Sequence, residues 1–185
     1  MPLSQLDKQP ALIVIDLQKG IVSLPLAHPT NEITSKAAQL ADAFRDRGFP
    51  VVLVNVAGGA PGRTDQSHHF DPPADWADLV PELKEHPRDH KVTKMRWGAF
   101  HGTGLDEHLK NLNVTQVFVC GIATSIGVES TARYAHEHGY HVALVTDAMT
   151  DLDPVSHQHS VEKIFPRLGE TTTTNEVLSS LNTNH

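Results

Sequence analysis

Cysteine is almost missing from this chain: Cys120 is the only one in 185 residues. One cysteine excludes an internal disulfide, so a hydrophobic core has to hold the fold, and the cytoplasm is the expected compartment. A basic run is missing too, and the formal net charge is −7, so nucleic acid is not an expected partner. No apolar stretch approaches the roughly 20 residues of a membrane span. Residues 1–10 are polar and lack the apolar centre of a signal peptide. A membrane is therefore not an expected partner either. No domain linker, internal repeat or low-complexity segment interrupts the chain, and 39% of it is hydrophobic. A single domain over residues 1–185 follows.

What is present is an alternation of buried strands and amphipathic helices. Residues 11–17 form a continuous apolar strand that ends in one carboxylate, Asp16. Burying that charge is costly unless it is paired, so Asp16 either serves a ligand site or caps the loop that follows. Ile33, Ala37, Leu40, Ala41 and Phe44 lie on one stripe of a helix over residues 31–47, and Gly48 stops it. Further strands are expected at residues 51–56, 91–94, 117–120 and 140–146, with an edge strand at 170–174. Thr103 and Asp106 fit a capping box that opens a helix to about residue 112. Asp153 followed by Pro154 signals a helix to residue 168, and Thr173 with Glu176 a last helix through 181. The loop over residues 57–73 is long for a compact domain, and such loops often line sites. The pattern is a three-layer α/β/α domain with a mostly parallel sheet.

The stretch Val117-Phe-Val-Cys-Gly-Ile-Ala-Thr-Ser-Ile-Gly-Val-Glu-Ser-Thr-Ala-Arg133 reads as a strand, a tight turn and the start of a helix. In an open parallel sheet, ligands bind above the C-terminal ends of the strands, so this turn is the candidate site.

These residues resemble the isochorismatase-like hydrolases, also called the cysteine hydrolase superfamily. The matching pieces are Ile13-Val-Ile-Asp-Leu-Gln18, Lys94-Met-Arg-Trp-Gly-Ala-Phe-His-Gly-Thr-Gly-Leu105, Gly121 through Arg133, and Asp147-Ala148. The resemblance implies a six-stranded, Rossmann-like sheet between helices, a small-molecule substrate, and self-association as a dimer or larger. No cofactor is expected; nicotinamidases hold a metal after the second strand, but no Asp-x-His pattern stands in residues 55–63, so no metal is expected either. The resemblance also implies an Asp, Lys and Cys site, carried here by Asp16, Lys94 and position 127. Position 127 is glycine. The amidase members attack their substrate with a cysteine there, and Gly127 offers no nucleophile. Isochorismatases proper also lack the cysteine and cleave an enol ether, with the aspartate as a proton donor. By resemblance, then, Asp16 and Lys94 are the catalytic pair, acting by acid–base chemistry on a small carboxylate. Isochorismatases proper carry an aromatic residue and a histidine in the turn, where this chain has Ala123, Thr124 and Ser125. A cis peptide between Ile122 and Ala123 is also implied, bringing Ala123 and Gly127 into one oxyanion-hole-like pocket. Gln18, Trp97, Phe100, Thr124 and Ser125 are the candidate substrate-binding residues.

Other readings stand beside these. Cys120, seven residues before the site, reads as a small buried hydrophobe. Ser125 is either a helix cap or a replacement nucleophile. Arg96, Trp97 and Phe100 either line the pocket or pack against the next element. The chain holds 13 histidines, and two groups would serve a metal-dependent hydrolase: His68, His69 and Asp71, and Asp153, His157 and His159. Neither has the helical HExxH spacing. His136, His138 and His141 straddle a helix end and read as surface residues. A protein of this fold that binds a small molecule or serves as an oligomeric scaffold without turnover is the alternative to an enzyme.

Overall fold

The computed structural model describes residues 3–66 and 71–183, which leaves the expected histidine pair His68 and His69 outside the described residues. Its centre is a six-stranded sheet in the order β3-β2-β1-β4-β5-β6, every neighbouring pair parallel. The strands are β1 (Pro10–Ile15), β2 (Val51–Val56), β3 (His90–Lys94), β4 (Gln116–Ile122), β5 (His141–Thr150) and β6 (Glu170–Thr172). The helices are α1 (Lys19–Val22), α2 (Thr30–Asp46), α3 (Leu105–Asn111), α4 (Glu129–Glu137), α5 (Pro154–His159), α6 (Phe165–Leu168) and α7 (Thr174–Thr183).

Alternation along β1 builds the three layers, because successive strand side chains point to opposite faces. Ala11, Ile13 and Ile15 pack with Leu105 and Leu109 of α3, Ala132 and Ala135 of α4, and Phe165 of α6. Leu12 and Val14 pack with the Ile33, Ala37, Leu40 and Phe44 stripe of α2 and with Val177 and Leu181 of α7. A strand buried on both faces has no polar side to show. That is why β1 reads as an unbroken apolar run.

The chain builds β1, β2 and β3 outward in one direction, then returns to lay β4, β5 and β6 on the other side of β1. The C-terminal ends of β1 and β4 therefore flank the point where the strand order reverses. These two strands approach closely there. Gly121 sits at φ +117°, and a Cβ on it would stand 2.0 Å from the Ile15 carbonyl oxygen. Only glycine fits.

Several local expectations need correction. The capping box before α3 does not form: Gly104 at φ +72° is the N-cap, and the Asp106 carboxylate instead accepts from Tyr140 and Lys110. Strand β5 runs four residues past the expected end, through a register shift between Val119 and Gly121 of its partner β4. Asp147 lies in that irregular stretch, where its Oδ1 accepts from the Thr174 N–H at the start of α7. The expected helix from Asp153 is capped as predicted by the Asp153 carboxylate, which accepts from the Val155 and Ser156 N–H groups. It then widens into a π-helical turn over Ser160–Ile164, just before Pro166, which has no N–H to continue the regular ladder. Glu176 accepts from the Thr173 N–H, completing the last cap.

Candidate active site

Asp16 follows β1 directly, at φ +51°, a left-handed conformation that few non-glycine residues adopt. Its side chain is 7% exposed. Lys94 ends β3, two strands away, and is just as deeply buried. The Lys94 Nζ donates to Asp16 Oδ2 at 2.7 Å and to the Arg96 carbonyl at 3.2 Å. Asp16 Oδ1 is buried with no hydrogen-bond partner among the described residues. Such an atom is costly to leave unmet and points to a group that arrives from outside. Burial pushes the Asp16 carboxyl up to about 6, a larger effect than the charge and hydrogen bond of Lys94, which pull it down. A buried carboxyl with a pKa near neutrality can either give or take a proton.

Beyond the end of β4, the Ile122–Ala123 peptide is cis, in agreement with the sequence reading. A π-helical turn, Thr124–Val128, follows it and leads into α4. The Val128 N–H donates five residues back to the Ala123 carbonyl. This wide turn brings Gly127 against Asp16: a Cβ on Gly127 would stand 3.2 Å from Asp16 Oδ2 and 3.0 Å from Ile15 Cγ2.

Above these residues opens a cavity of about 300 Å³ lined by Asp16, Lys94, Ala123 and Gly127. Ile21, Leu24, Trp76, Trp97, Ile126 and Leu152 also contribute to its lining, which makes it largely apolar. Trp76 and Trp97 are the only tryptophans in the chain. Gly20 makes room for the first: a Cβ there would come within 1.9 Å of the Trp76 ring.

Of the expected substrate-binding residues, Trp97 lines the cavity and four do not. Gln18 is fully buried, and its amide is spent on the backbone: Nε2 donates to the Val56 and Trp76 carbonyls, and Oε1 accepts from the Val56 N–H. It holds the Trp76 loop in place. Phe100 packs in the core against Tyr134 and Tyr140. The Thr124 hydroxyl pairs with His157 Nδ1 at 2.7 Å. Ser125 lies inside the turn and does not cap it; its N–H donates to Asp151 Oδ2 at 2.7 Å. Arg96 turns outward, donating to the Met95 and Gly59 carbonyls.

The rival histidine groups do not converge. Asp153 caps α5, His157 bonds Thr124, and His159 is exposed. No group of three or more His, Cys, Asp or Glu that could hold a metal is found among the described residues. His136, His138 and His141 are all exposed, as the sequence reading expects; His138 lies 3.4 Å from Asp106 and stacks on Tyr134. Cys120 lies inside β4, and burial, with the Asp147 charge, pushes its thiol up to about 12, far from a reactive thiolate. No helix is long and apolar enough to cross a membrane among the described residues.

Sequence reasoning missed Trp76, Leu24, Leu152 and Asp151. Asp151 had a readable signal, since it closes an apolar strand as Asp16 does. Its buried carboxylate accepts from the Ser125, Leu152 and Asp153 N–H groups, and so ties the end of β5 to the turn.

Comparison with known proteins agrees with this architecture. The model of the isochorismatase domain matches residues 10–176. The isochorismatase family protein YwoC of Bacillus subtilis is 42% identical over 179 residues, covering 92% of this chain and 93% of its own. YecD, a protein of the same family from Escherichia coli O157:H7, is 36% identical over 184 residues, covering 94% of this chain and 97% of its own. The structure of an isochorismatase family protein from Burkholderia thailandensis superposes with a TM-score of 0.93 at 38% identity, covering 98% of this chain and 99% of that one. With the parallel sheet, the switch-point cavity and a matching domain over most of its length, the chain belongs to the isochorismatase family of hydrolases.

Proposed function

We propose that this hydrolase cleaves the C–O bond of a small carboxylate-bearing enol ether, with Asp16 as acid and Lys94 as its partner. The observation that carries the reading is the state of Asp16: buried, raised to about 6, with one oxygen unmet and the side-chain-free Gly127 beside it. We read Gly127 as standing where the amidases hold their cysteine. Amide hydrolysis through an acyl-enzyme has no nucleophile here. Enol ether hydrolysis needs none.

In this reading the protonated Asp16 gives its proton to the terminal vinyl carbon, and the ether oxygen stabilises the resulting oxocarbenium ion. Water adds to the ether-bearing carbon of that ion and returns a proton to the Asp16 carboxylate. The hemiketal then collapses to a ketone, pyruvate where the substrate is an enolpyruvyl ether, and an alcohol. Protonation of Asp16 weakens its hold on Lys94, whose ammonium is then available to the substrate carboxylate. Ala123 and Gly127 line the same space, which suits a role in positioning the reacting group. Self-association belongs to the same reading and is supported by the exposed apolar side chains Met95, Tyr134 and Val155; light scattering tests it.

The test is release of pyruvate from 2-phenoxyacrylate and from isochorismate by wild type and by Asp16→Asn. Turnover by wild type that is lost in the variant supports the acid mechanism. Unchanged turnover in Asp16→Asn would sink it. Binding without product from any enol ether or small amide would leave the same fold as a small-molecule-binding protein.

A further inference from the structure

The cavity is not uniformly suited to an acidic substrate. Asp16 and Lys94 are the only charged side chains among the described residues that line it, and they lie together at its floor. Toward the mouth the walls are two indoles and several aliphatic chains. Leu24 is 38% exposed, Leu152 46% and Trp97 63%, so large apolar surfaces stand open around the entrance. Apolar surface of this kind gains by covering an apolar ligand. Arg63 borders a separate hollow with Gly59 and Trp97 and is not among the described residues lining this one, and two other cations of the surrounding loops are committed elsewhere. The Arg96 guanidinium donates to the Met95 and Gly59 carbonyls, and Lys19 pairs with Asp75 and Asp78. A volume of about 300 Å³ is at the small end of ligand pockets, enough for a three-carbon acid and one ring.

From this we infer that the substrate carries a single anionic group, which meets Lys94, and presents an uncharged, ring-sized leaving group to Trp76, Trp97, Leu24 and Leu152. The inference rests on the enol ether reading and extends it to the class of substrate. A second carboxylate on the leaving group would be taken out of water against leucine and indole, with no cation beside it among the described lining residues once Lys94 holds the first, which is costly. Leu24, Trp97 and Leu152 are then specificity-determining residues. The leaving alcohol is a phenol or a cyclic alcohol of similar size, without charge.

The chain reports on this directly, because both of its tryptophans line the cavity, so intrinsic fluorescence responds to its occupancy. Three probes decide the matter at pH 5.5: phenoxyacetate, 4-carboxyphenoxyacetate and phenoxyacetamide. The first is the saturated relative of 2-phenoxyacrylate and cannot be protonated at a vinyl carbon. Phenoxyacetate should quench the indoles and bind about tenfold or more tightly than 4-carboxyphenoxyacetate, the factor expected when a charge loses its hydration without a partner. Phenoxyacetamide should bind more weakly than phenoxyacetate, having no charge for Lys94. In Leu152→Arg, a substitution at an exposed position, the preference for phenoxyacetate over 4-carboxyphenoxyacetate should shrink or reverse. Equal or tighter binding of 4-carboxyphenoxyacetate by wild type, or no response to phenoxyacetate, overturns the inference. The mechanism fails separately: selective binding of phenoxyacetate with no pyruvate from 2-phenoxyacrylate overturns the acid chemistry and leaves the substrate class standing. Equally fast release of pyruvate from 2-phenoxyacrylate and from its 4-carboxy derivative does the reverse.

Discussion

A side chain on Gly127 would begin 3.2 Å from Asp16 Oδ2, so residue 127 and the buried carboxylate share one reaction space. Gly127→Cys should therefore place a thiol beside a proton acceptor. The added Cβ also meets Ile15 Cγ2 at 3.0 Å, a tight fit that calls for a small shift costing about 1 kcal/mol, or a fall of about 2–4 °C in Tm. The expected outcome is a folded variant that hydrolyses small amides, with no such hydrolysis expected of wild type, and that is inactivated by stoichiometric iodoacetamide. Wild-type Cys120, raised to about 12 by burial, should resist the same reagent while the protein stays folded.

The acid mechanism fixes the sign of the pH dependence. Asp16 must hold a proton to act, and its carboxyl is raised to about 6. For an enol ether substrate, kcat/KM should be level below about pH 6 and fall close to tenfold per unit above it. Stability follows the same group. The folded pKa lies above the unfolded value of about 3.9, so the Asp16 contribution is fully present below pH 4 and is lost as pH rises through 6. Relative to Asp16→Asn, wild type should lose on the order of 2–3 kcal/mol between pH 4 and pH 7. Urea unfolding of both proteins at the two pH values checks this, and a constant difference between them would contradict it.

Parts of this site were legible in the chain and parts were not. Asp16 could be found because a carboxylate at the end of an apolar strand breaks the pattern around it. Lys94 could not be found that way: its burial comes from pairing with a residue 78 positions away, and only the family motif marked it. Gln18 was misplaced because an amide near a site looks ready for a ligand, whereas the backbone of β2 takes both of its ends. Thr124 and Ser125 were misplaced because the turn after β4 is π-helical and begins at Thr124. That phase turns Thr124 toward His157 and leaves Ala123 and Gly127 on the cavity. The walls formed by Trp76 and Leu152 come from irregular segments, where no periodicity says which side chain faces inward. The strands were located correctly, apart from the ends of β5 and β6, because strands buried on both faces read as apolar runs, and α2 because its buried stripe is periodic.

Asp151 makes a prediction about positioning. Its carboxylate receives the Ser125 N–H at 2.7 Å and the Leu152 N–H at 2.8 Å, so it holds both the turn and one wall of the cavity. Asp151→Asn keeps the shape but cannot accept from all three N–H groups equally well. It should lower kcat on an enol ether several-fold, loosen phenoxyacetate binding, and leave the midpoint of the pH profile near 6, since Asp16 is untouched. A shifted midpoint would mean that Asp151 acts on Asp16 directly.

A last prediction concerns the edge of the sheet. His90 on β3 and His108 on α3 stack with ring centroids 3.6 Å apart and planes 10° from parallel. Burial lowers the pKa of both, and the neighbouring His108 charge lowers that of His90 further. Two imidazolium rings cannot hold this stack without repulsion, so the folded state prefers the neutral pair. Because the folded pKa values lie below the unfolded value of about 6.5, the unfolded chain binds more protons as the solution is acidified. The stability present above pH 6.5 is then lost as pH falls below it. In His108→Phe the stack survives with one titrating ring instead of two. The variant should lose less Tm than wild type between pH 7.5 and pH 5.0, and the two should run in parallel above pH 7.5. Scanning calorimetry over that range measures both, and identical curves would show that the pair titrates without consequence for the fold.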